Sequence, residues 1–304
     1  MSVFDALVRW GLPLVPGPLL WAVARRYVAG AGRADALARV EGFLAQGYGA
    51  IVDVLGEGVR ERRDALAARD EYVQLADALD AADADGEISV KPTHLGLVLD
   101  HGLCEALLDE LCARCEPRGR RVRFEMEDAP TIDATLAVFA RVRARRANVG
   151  CVLQSRLFRT ADDVEGLLDV PGPLDVRLVK GIYLEPAAIA WTEREPIRES
   201  YARLGRRLLE GGAHVAFATH DEALADAVRG MLAELGLERG GERYDFECLM
   251  GVRAAFAEAL RAEGHRVKIY VPYGPDWRPY TLRRLRKNPE IARHVVRALL
   301  RGER

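Results

Sequence analysis

The sequence predicts an α/β chain closed into a (βα)8 barrel of the TIM type, with extra helices ahead of the first strand. Two patterns predict it. Short runs rich in Val, Ile and Phe recur eight times, and Ala/Leu/Arg/Glu stretches at helical spacing separate them. A third observation adds function to the frame. Most of these runs end in a polar or titratable residue, and barrels of this kind gather their active sites at the C-terminal ends of the strands. A doubly wound open sheet shares the alternation and is the rival architecture.

Residues 1–48 read as an N-terminal helical segment, with Tyr27, Leu37, Val40 and Phe43 at apolar positions and Gly30 and Gly32 as interruptions. Residues 49–304 read as the barrel. Its predicted strands are Ala50–Leu55, Glu87–Lys91, Arg121–Met126, Val149–Gln154, Asp175–Lys180, His214–Thr219, Tyr244–Leu249 and Arg266–Val271. Helical spacing is plain in Leu103, Leu107, Leu108 and Leu111, and again in Leu204 and Leu208. The eighth run is expected to stop at Pro272. Gly274, Pro275 and Pro279 then force a turn, and a basic helix follows from about Tyr280.

Hydrophobic residues make up 49% of the 304, enough for a sizeable core. A net charge of -2 argues against a general nucleic-acid binder. Five cysteines, an odd count without a secretory leader, predict thiols in a reducing compartment, the cytoplasm. Cys112 and Cys115 form a C-x-x-C without a second pair, so small core thiols are expected. Gly11 to Ala24 is apolar but broken by Pro13, Pro16 and Pro18, too short to span a membrane. It reads as a docking segment, with a patch on the inner face of the cell membrane as the alternative.

The chemistry lies on the strand ends. Lys91, the Glu125-Met126-Glu127-Asp128 run, Gln154, Arg177 with Lys180, Thr219-His220-Asp221, Glu247, Tyr270 and Tyr273 are predicted to meet at one rim. Arg177 and Lys180 before Gly181 suit a phosphate or pyrophosphate, because glycine lets a ligand approach the backbone. Arg177 equally suits a buried partner such as Glu125 or Glu127. Tyr280 precedes Arg283 and Arg284 by three and four residues, so the three share a helical flank. Two adjacent guanidinium groups repel unless an anion lies between them, and a carboxylate fits that fork. Glu125, Glu127, His220, Asp221 and Glu247 also admit a divalent metal, although no pair has tight ligand spacing. No Gly-x-Gly-x-x-Gly fingerprint or Walker-type loop is present.

Taken together, Ile88-Ser89-Val90-Lys91, Glu125 to Asp128, Val152-Leu153-Gln154, Arg177 to Tyr183, Phe217 to Asp221, Phe246 to Gly251 and Tyr270 to Arg284 resemble the proline dehydrogenase family. The matching pieces keep the family's order over roughly residues 50–290, and the likeness is to the bacterial single-function form. The resemblance implies a distorted (βα)8 barrel holding FAD, and oxidation of L-proline to 1-pyrroline-5-carboxylate by hydride transfer to flavin N5. It further implies that Lys91, Arg283 and Arg284 grip the substrate carboxylate, with Tyr270, Tyr280 and Leu249 around the ring. Glu125 and Arg177 would be the catalytic pair. Met126, Gln154, Arg177, Lys180, Gly181, Ile182, Thr219 and His220 would bind FAD, with no metal. Family members of this kind often pass electrons to a membrane quinone.

The pocket departs from the family pattern. Glu125 stands where an Asp is usual, Glu247 replaces a Gln, Met250 replaces an aromatic or His, Pro92 replaces an aliphatic residue, and Lys287 replaces a Glu. These changes leave the flavin motifs intact. They keep open a flavoenzyme of the same family that acts on a modified or carrier-bound cyclic imino acid. A metal-dependent barrel lyase or isomerase is the reading from another class.

Overall fold

The structure is a computed structural model and describes residues 17–287. Two helices come first, α1 (Gly17–Ala24) and α2 (Arg33–Ala45). Strands and helices then alternate: β1 (Gly49–Val54), α3 (Arg62–Ala81), β2 (Glu87–Val90), α4 (His101–Cys115), β3 (Val122–Phe124), α5 (Ile132–Arg143), β4 (Val149–Gln154) and α6 (Thr160–Leu168). The second half continues with β5 (Asp175–Val179), α7 (Arg194–Glu210), β6 (His214–Ala218), α8 (Glu222–Glu234), β7 (Tyr244–Leu249), α9 (Ala254–Ala262), β8 (Val267–Tyr273) and α10 (Trp277–Lys287). All eight strands pair in parallel and in order, and β1 closes on β8. The barrel is the predicted one, and the open sheet is excluded.

Strand register divides the side chains into two faces. Val52, Ile88, Phe124, Leu153, Leu178, Phe217, Phe246 and Val271 share the outward face and pack under the helices in the main hydrophobic core. The inward face mixes charged and polar side chains with the apolar Ile51, Val152 and Ala216. Its lower layer carries Glu87, Arg123, Asp175, His214, Asp245 and Lys268, and its upper layer Asp53, Ser89, Arg177, Glu247 and Tyr270. Two glycines make room for long cations in the lower layer. A Cβ on Gly49 would come within 2.8 Å of the Lys268 stem, and one on Gly150 within 2.7 Å of Arg123 Nη1.

The N-terminal helices complete the barrel. α2 packs on β1 and β8, the flank that the helix after the eighth strand ordinarily covers. α10 packs on α1 instead, where Trp21 meets Trp277 edge to face at 4.8 Å. The apolar stretch ending at Ala24 therefore docks over residues 17–24; residues 11–16 lie outside the described ones. Among the described residues no helix is long and apolar enough to cross a membrane.

Two boundaries differ from expectation. β8 does not stop at Pro272 but runs through it to Tyr273. Pro272 needs no N–H there, because β7 has already ended and the Ala29 N–H donates to the Pro272 carbonyl at 2.8 Å. The basic helix starts at Trp277 rather than Tyr280. Pro279 lies in its first turn, where an N–H would find no intrahelical acceptor. β3 is also shorter than predicted, so Glu125 and Met126 follow the strand instead of lying in it. All five cysteines are free and buried, as expected of core thiols.

The lower layer predicts a pH response. His214 lies between two carboxylates, with Nδ1 3.0 Å from Asp175 and Nε2 3.1 Å from Asp245, and with the Arg121 guanidinium 3.2 Å from Nδ1. Burial disfavours the imidazolium, but the two carboxylates outweigh it and raise the pKa. A raised pKa gives stability that is complete below the unfolded value of about 6.5 and is lost as pH rises through the folded one. Denaturant unfolding of His214→Asn should therefore show a larger loss against the parent at pH 5.5 than at pH 9. An equal loss at both would contradict the charged bridge.

Candidate active site

The upper layer centres on Arg177, which projects inward from β5 and is almost fully buried. Its Nε donates to Glu247, and its Nη1 donates to Glu125 at 2.7 Å and to Ser89 at 3.1 Å. The Tyr270 ring lies 5.3 Å from the guanidinium carbon, and its hydroxyl donates to Glu125 at 3.2 Å. Ser89 also donates to Glu125. Arg177 thus pairs with Glu125, as one reading of the sequence had it, but not with Glu127.

Lys91 follows β2 and donates to Asp53 at 2.6 Å. Burial works against the Lys91 cation, yet Asp53 and Glu125 outweigh it and raise its pKa. Lys91 therefore stays charged at neutral pH. Burial likewise opposes ionised Glu125, but Arg177 and Lys91 hold it below the usual carboxylate range. For Asp53 and Glu247 burial prevails over the neighbouring cations, and both are raised. Tyr280, half-buried on α10, lies close enough to Lys91 and Tyr270 to couple with the ionisation of both, so the three lie around one space.

A second group of predicted residues lines the rim over β4 to β7. Gln154 donates from Nε2 to the Glu127 carbonyl at 2.8 Å, and its buried Oε1 has no hydrogen-bond partner among the described residues. Gly181 adopts φ +103, and a Cβ there would come within 2.6 Å of that same Oε1. Lys180 donates to Asp221 at 3.0 Å, and Arg198 grips the same carboxylate. Burial opposes ionised Asp221, but these cations push its pKa far below the usual range. Thr219 accepts from the Asp221 N–H at 3.1 Å, and His220 Nε2 accepts from the Leu249 N–H at 3.0 Å. In the neutral ring that bond leaves the proton on Nδ1. Met126 is buried, and Ile182 is exposed on the loop after β5.

The structure therefore brings Lys91, Glu125, Arg177, Tyr270 and Tyr280 together, with Gln154 and Gly181 in contact beside them. Arg283 and Arg284 fall on α10, and Lys287 ends it, but their side chains lie outside the described residues. Sequence reasoning missed Asp53 and gave Ser89 no role. The available signal for Asp53 was a lone acid inside the apolar run from Ala50 to Leu55.

The metal alternative meets a different geometry. Glu127 turns away to accept from the Thr93 N–H and hydroxyl, each at 2.8 Å. Glu125 and Glu247 are taken by Arg177, and His220 Nε2 by a backbone donor. Among the described residues no three His, Cys, Asp or Glu side chains are grouped as metal ligands.

Comparison with known proteins gives a consistent result. A sequence profile of the proline dehydrogenase family matches residues 36–297. A proline dehydrogenase from Deinococcus radiodurans is 32% identical over 290 residues, covering 93% of this chain and 92% of its own length. Proline dehydrogenase 1 of Bacillus subtilis subsp. natto is 30% identical over 278 residues, covering 91% of each. Proline utilization A from Bdellovibrio bacteriovorus, solved after inactivation by N-propargylglycine, superposes with a TM-score of 0.81 at 22% identity. That superposition covers 87% of this chain and 32% of the longer protein, and it shows a shared fold. On the strength of the profile match and the two relatives, the chain belongs to the proline dehydrogenase family.

Proposed function

We propose that this chain is an FAD-dependent proline dehydrogenase that oxidises L-proline to 1-pyrroline-5-carboxylate. The observation that carries the reading is the clamped Arg177 beside the Lys91–Asp53 pair, buried ion pairs that present both signs of charge, as a small zwitterion needs. Lys91, Arg283 and Arg284 hold the substrate carboxylate, and Tyr270, Tyr280 and Leu249 enclose the ring. Orientation supplies much of the rate, because a held ring reacts from one geometry.

The residues on the other side of the pocket fit a flavin. The unpartnered Gln154 Oε1 offers an acceptor to a ring N–H, and the missing Cβ of Gly181 leaves space beside it. Met126, Gln154, Arg177, Lys180, Gly181, Ile182, Thr219 and His220 would hold the cofactor, with Arg177 facing both it and the substrate. When bound, the flavin supplies the two-electron acceptor for hydride. Glu125 keeps Arg177 in place and receives the Tyr270 hydroxyl, so the ring-facing tyrosine and the guanidinium move as one unit.

We further infer that residues 1–48 are a helical segment serving a catalytic barrel of residues 49–304. The seat of α2 on β1 and β8 supports this division. Electrons are passed to a membrane quinone by a cytoplasmic protein bound at the inner face of the membrane. The exposed Ile182 and Leu184 at the barrel mouth support that reading.

The decisive measurement is the absorption spectrum of the purified protein. A flavin spectrum that bleaches anaerobically with L-proline is expected. Colourless protein that takes up no FAD overturns the reading. Bleaching by a modified or carrier-bound ring, but not by free L-proline, moves the substrate and leaves the cofactor in place.

A further inference from the structure

We propose that Glu247 is a positioning residue for Arg177, and that its negative charge sets the reduction potential of the site. This inference rests on the reading of Arg177 given above. The guanidinium is held on two sides: Nε donates to Glu247, and Nη1 donates to Glu125 and Ser89. The Tyr270 ring lies against it. Nη2 alone is buried without a hydrogen-bond partner among the described residues. A planar group anchored at Nε and Nη1 cannot swing about its long axis, so the direction of Nη2 is fixed. That donor is the one left to face a ligand.

Glu247 is the firmer of the two carboxylate anchors. It is 3% exposed against 17% for Glu125, and it projects inward from the middle of β7 rather than from the end of a strand. A rigid strand position defines a ligand's geometry more closely than a loop does. Glu247 Oε1 is also buried without a partner, so this carboxylate is not saturated by its own ion pair.

Charge gives Glu247 a second effect. Among the described residues at this level, Lys91 and Arg177 face Asp53, Glu125 and Glu247, and Glu247 is the carboxylate bonded to Arg177 Nε. The negative charge on Glu247, buried behind Arg177, opposes the arrival of electrons in a low-dielectric site. Removing it eases reduction. The charged groups that act on Glu247 include Arg177 from β5, Arg123 from β3, Asp245 from its own strand, Glu87 from β2 and Lys268 from β8.

The test uses the flavin-loaded protein and two variants. Glu247→Gln keeps an acceptor for Nε and loses the charge, whereas Glu247→Leu loses both. The midpoint potential of Glu247→Gln is expected to lie positive of the parent at pH 8, with the gap closing as pH falls and the parent's carboxylate takes up a proton. For turnover, kcat is expected to fall less than about tenfold in Glu247→Gln and about a hundredfold in Glu247→Leu. KM for the imino acid should change less than kcat in both, because Glu247 acts through Arg177. Equal potentials at every pH in the parent and Glu247→Gln overturn the charge role, and parent-like kcat in Glu247→Leu overturns the positioning role. If Glu247→Leu does not fold, Glu247→Gln still decides the charge role, and Glu247→Ala takes over the positioning test with the same expected and overturning results. A parent protein that binds no flavin overturns the cofactor reading, and the proposal with it.

Discussion

Replacing Arg177 with methionine is expected to lower the unfolding free energy by about 3–5 kcal/mol, because two buried carboxylates lose their shared counterion. Glu125 and Glu247 would be left close together, and among the described residues of the upper layer the remaining cation is Lys91, already paired with Asp53. Urea unfolding of the flavin-free protein measures the loss without reference to catalysis. Turnover should also fall, by about a thousandfold in kcat/KM, if the removed donor is aimed at the reacting groups. The two effects separate in a double variant. Arg177→Met with Glu247→Gln removes one of the stranded charges, so part of the stability should return while turnover does not. Parent-like unfolding in the single variant would show that Glu125 and Glu247 already carry protons there, and the ion-pair description of the site would fall.

Much of this site was legible in the sequence for a simple reason. Strand ends in a parallel barrel meet at one rim, so polar residues that close most of the apolar runs converge whatever their distance along the chain. Lys91, Gln154, Arg177 and Tyr270 could be placed together in that way. Asp53 could not, because it lies one residue short of the end of β1 and resembles an ordinary interruption until Lys91 is seen against it. The lower layer was hidden for a related reason. Glu87, Asp175 and His214 begin their strands, where charge usually meets solvent, and only closure of the sheet turns them inward against Arg123, Asp245 and Lys268. The course of the chain past Pro272 was misjudged because the missing N–H matters only on a flank that has a neighbour to serve. There β7 has ended, and residue 29 brings a donor that needs only the Pro272 carbonyl.

The lower layer supplies the sharpest contrast with Arg177. Lys268 lies between Glu87 and Asp245, donating to the first and standing 2.6 Å from the second. Both acids are held below the usual carboxylate range. Burial opposes their ionised forms, and the Lys268 charge is the largest influence that offsets it. Lys268→Met fills the space beside Gly49 with a stem of similar length, so the change is mainly one of charge. At pH 7 it is expected to cost about 3–5 kcal/mol, since two buried anions lose their cation. The depressed pKa values make this contribution present above the unfolded carboxylate values of about 4 and lost as pH falls through the folded ones. The gap between parent and variant should therefore narrow steadily below about pH 4. Flavin content and KM of the folded fraction should remain those of the parent, because no lower-layer side chain bonds to Lys91, Tyr270 or Gln154 among the described residues. Adding Glu87→Gln to the variant should recover part of the loss at pH 7. A Lys268→Met protein that kept full stability but lost its flavin would mean that the two layers act as one site, and the division between a structural floor and a reactive rim would have to be abandoned.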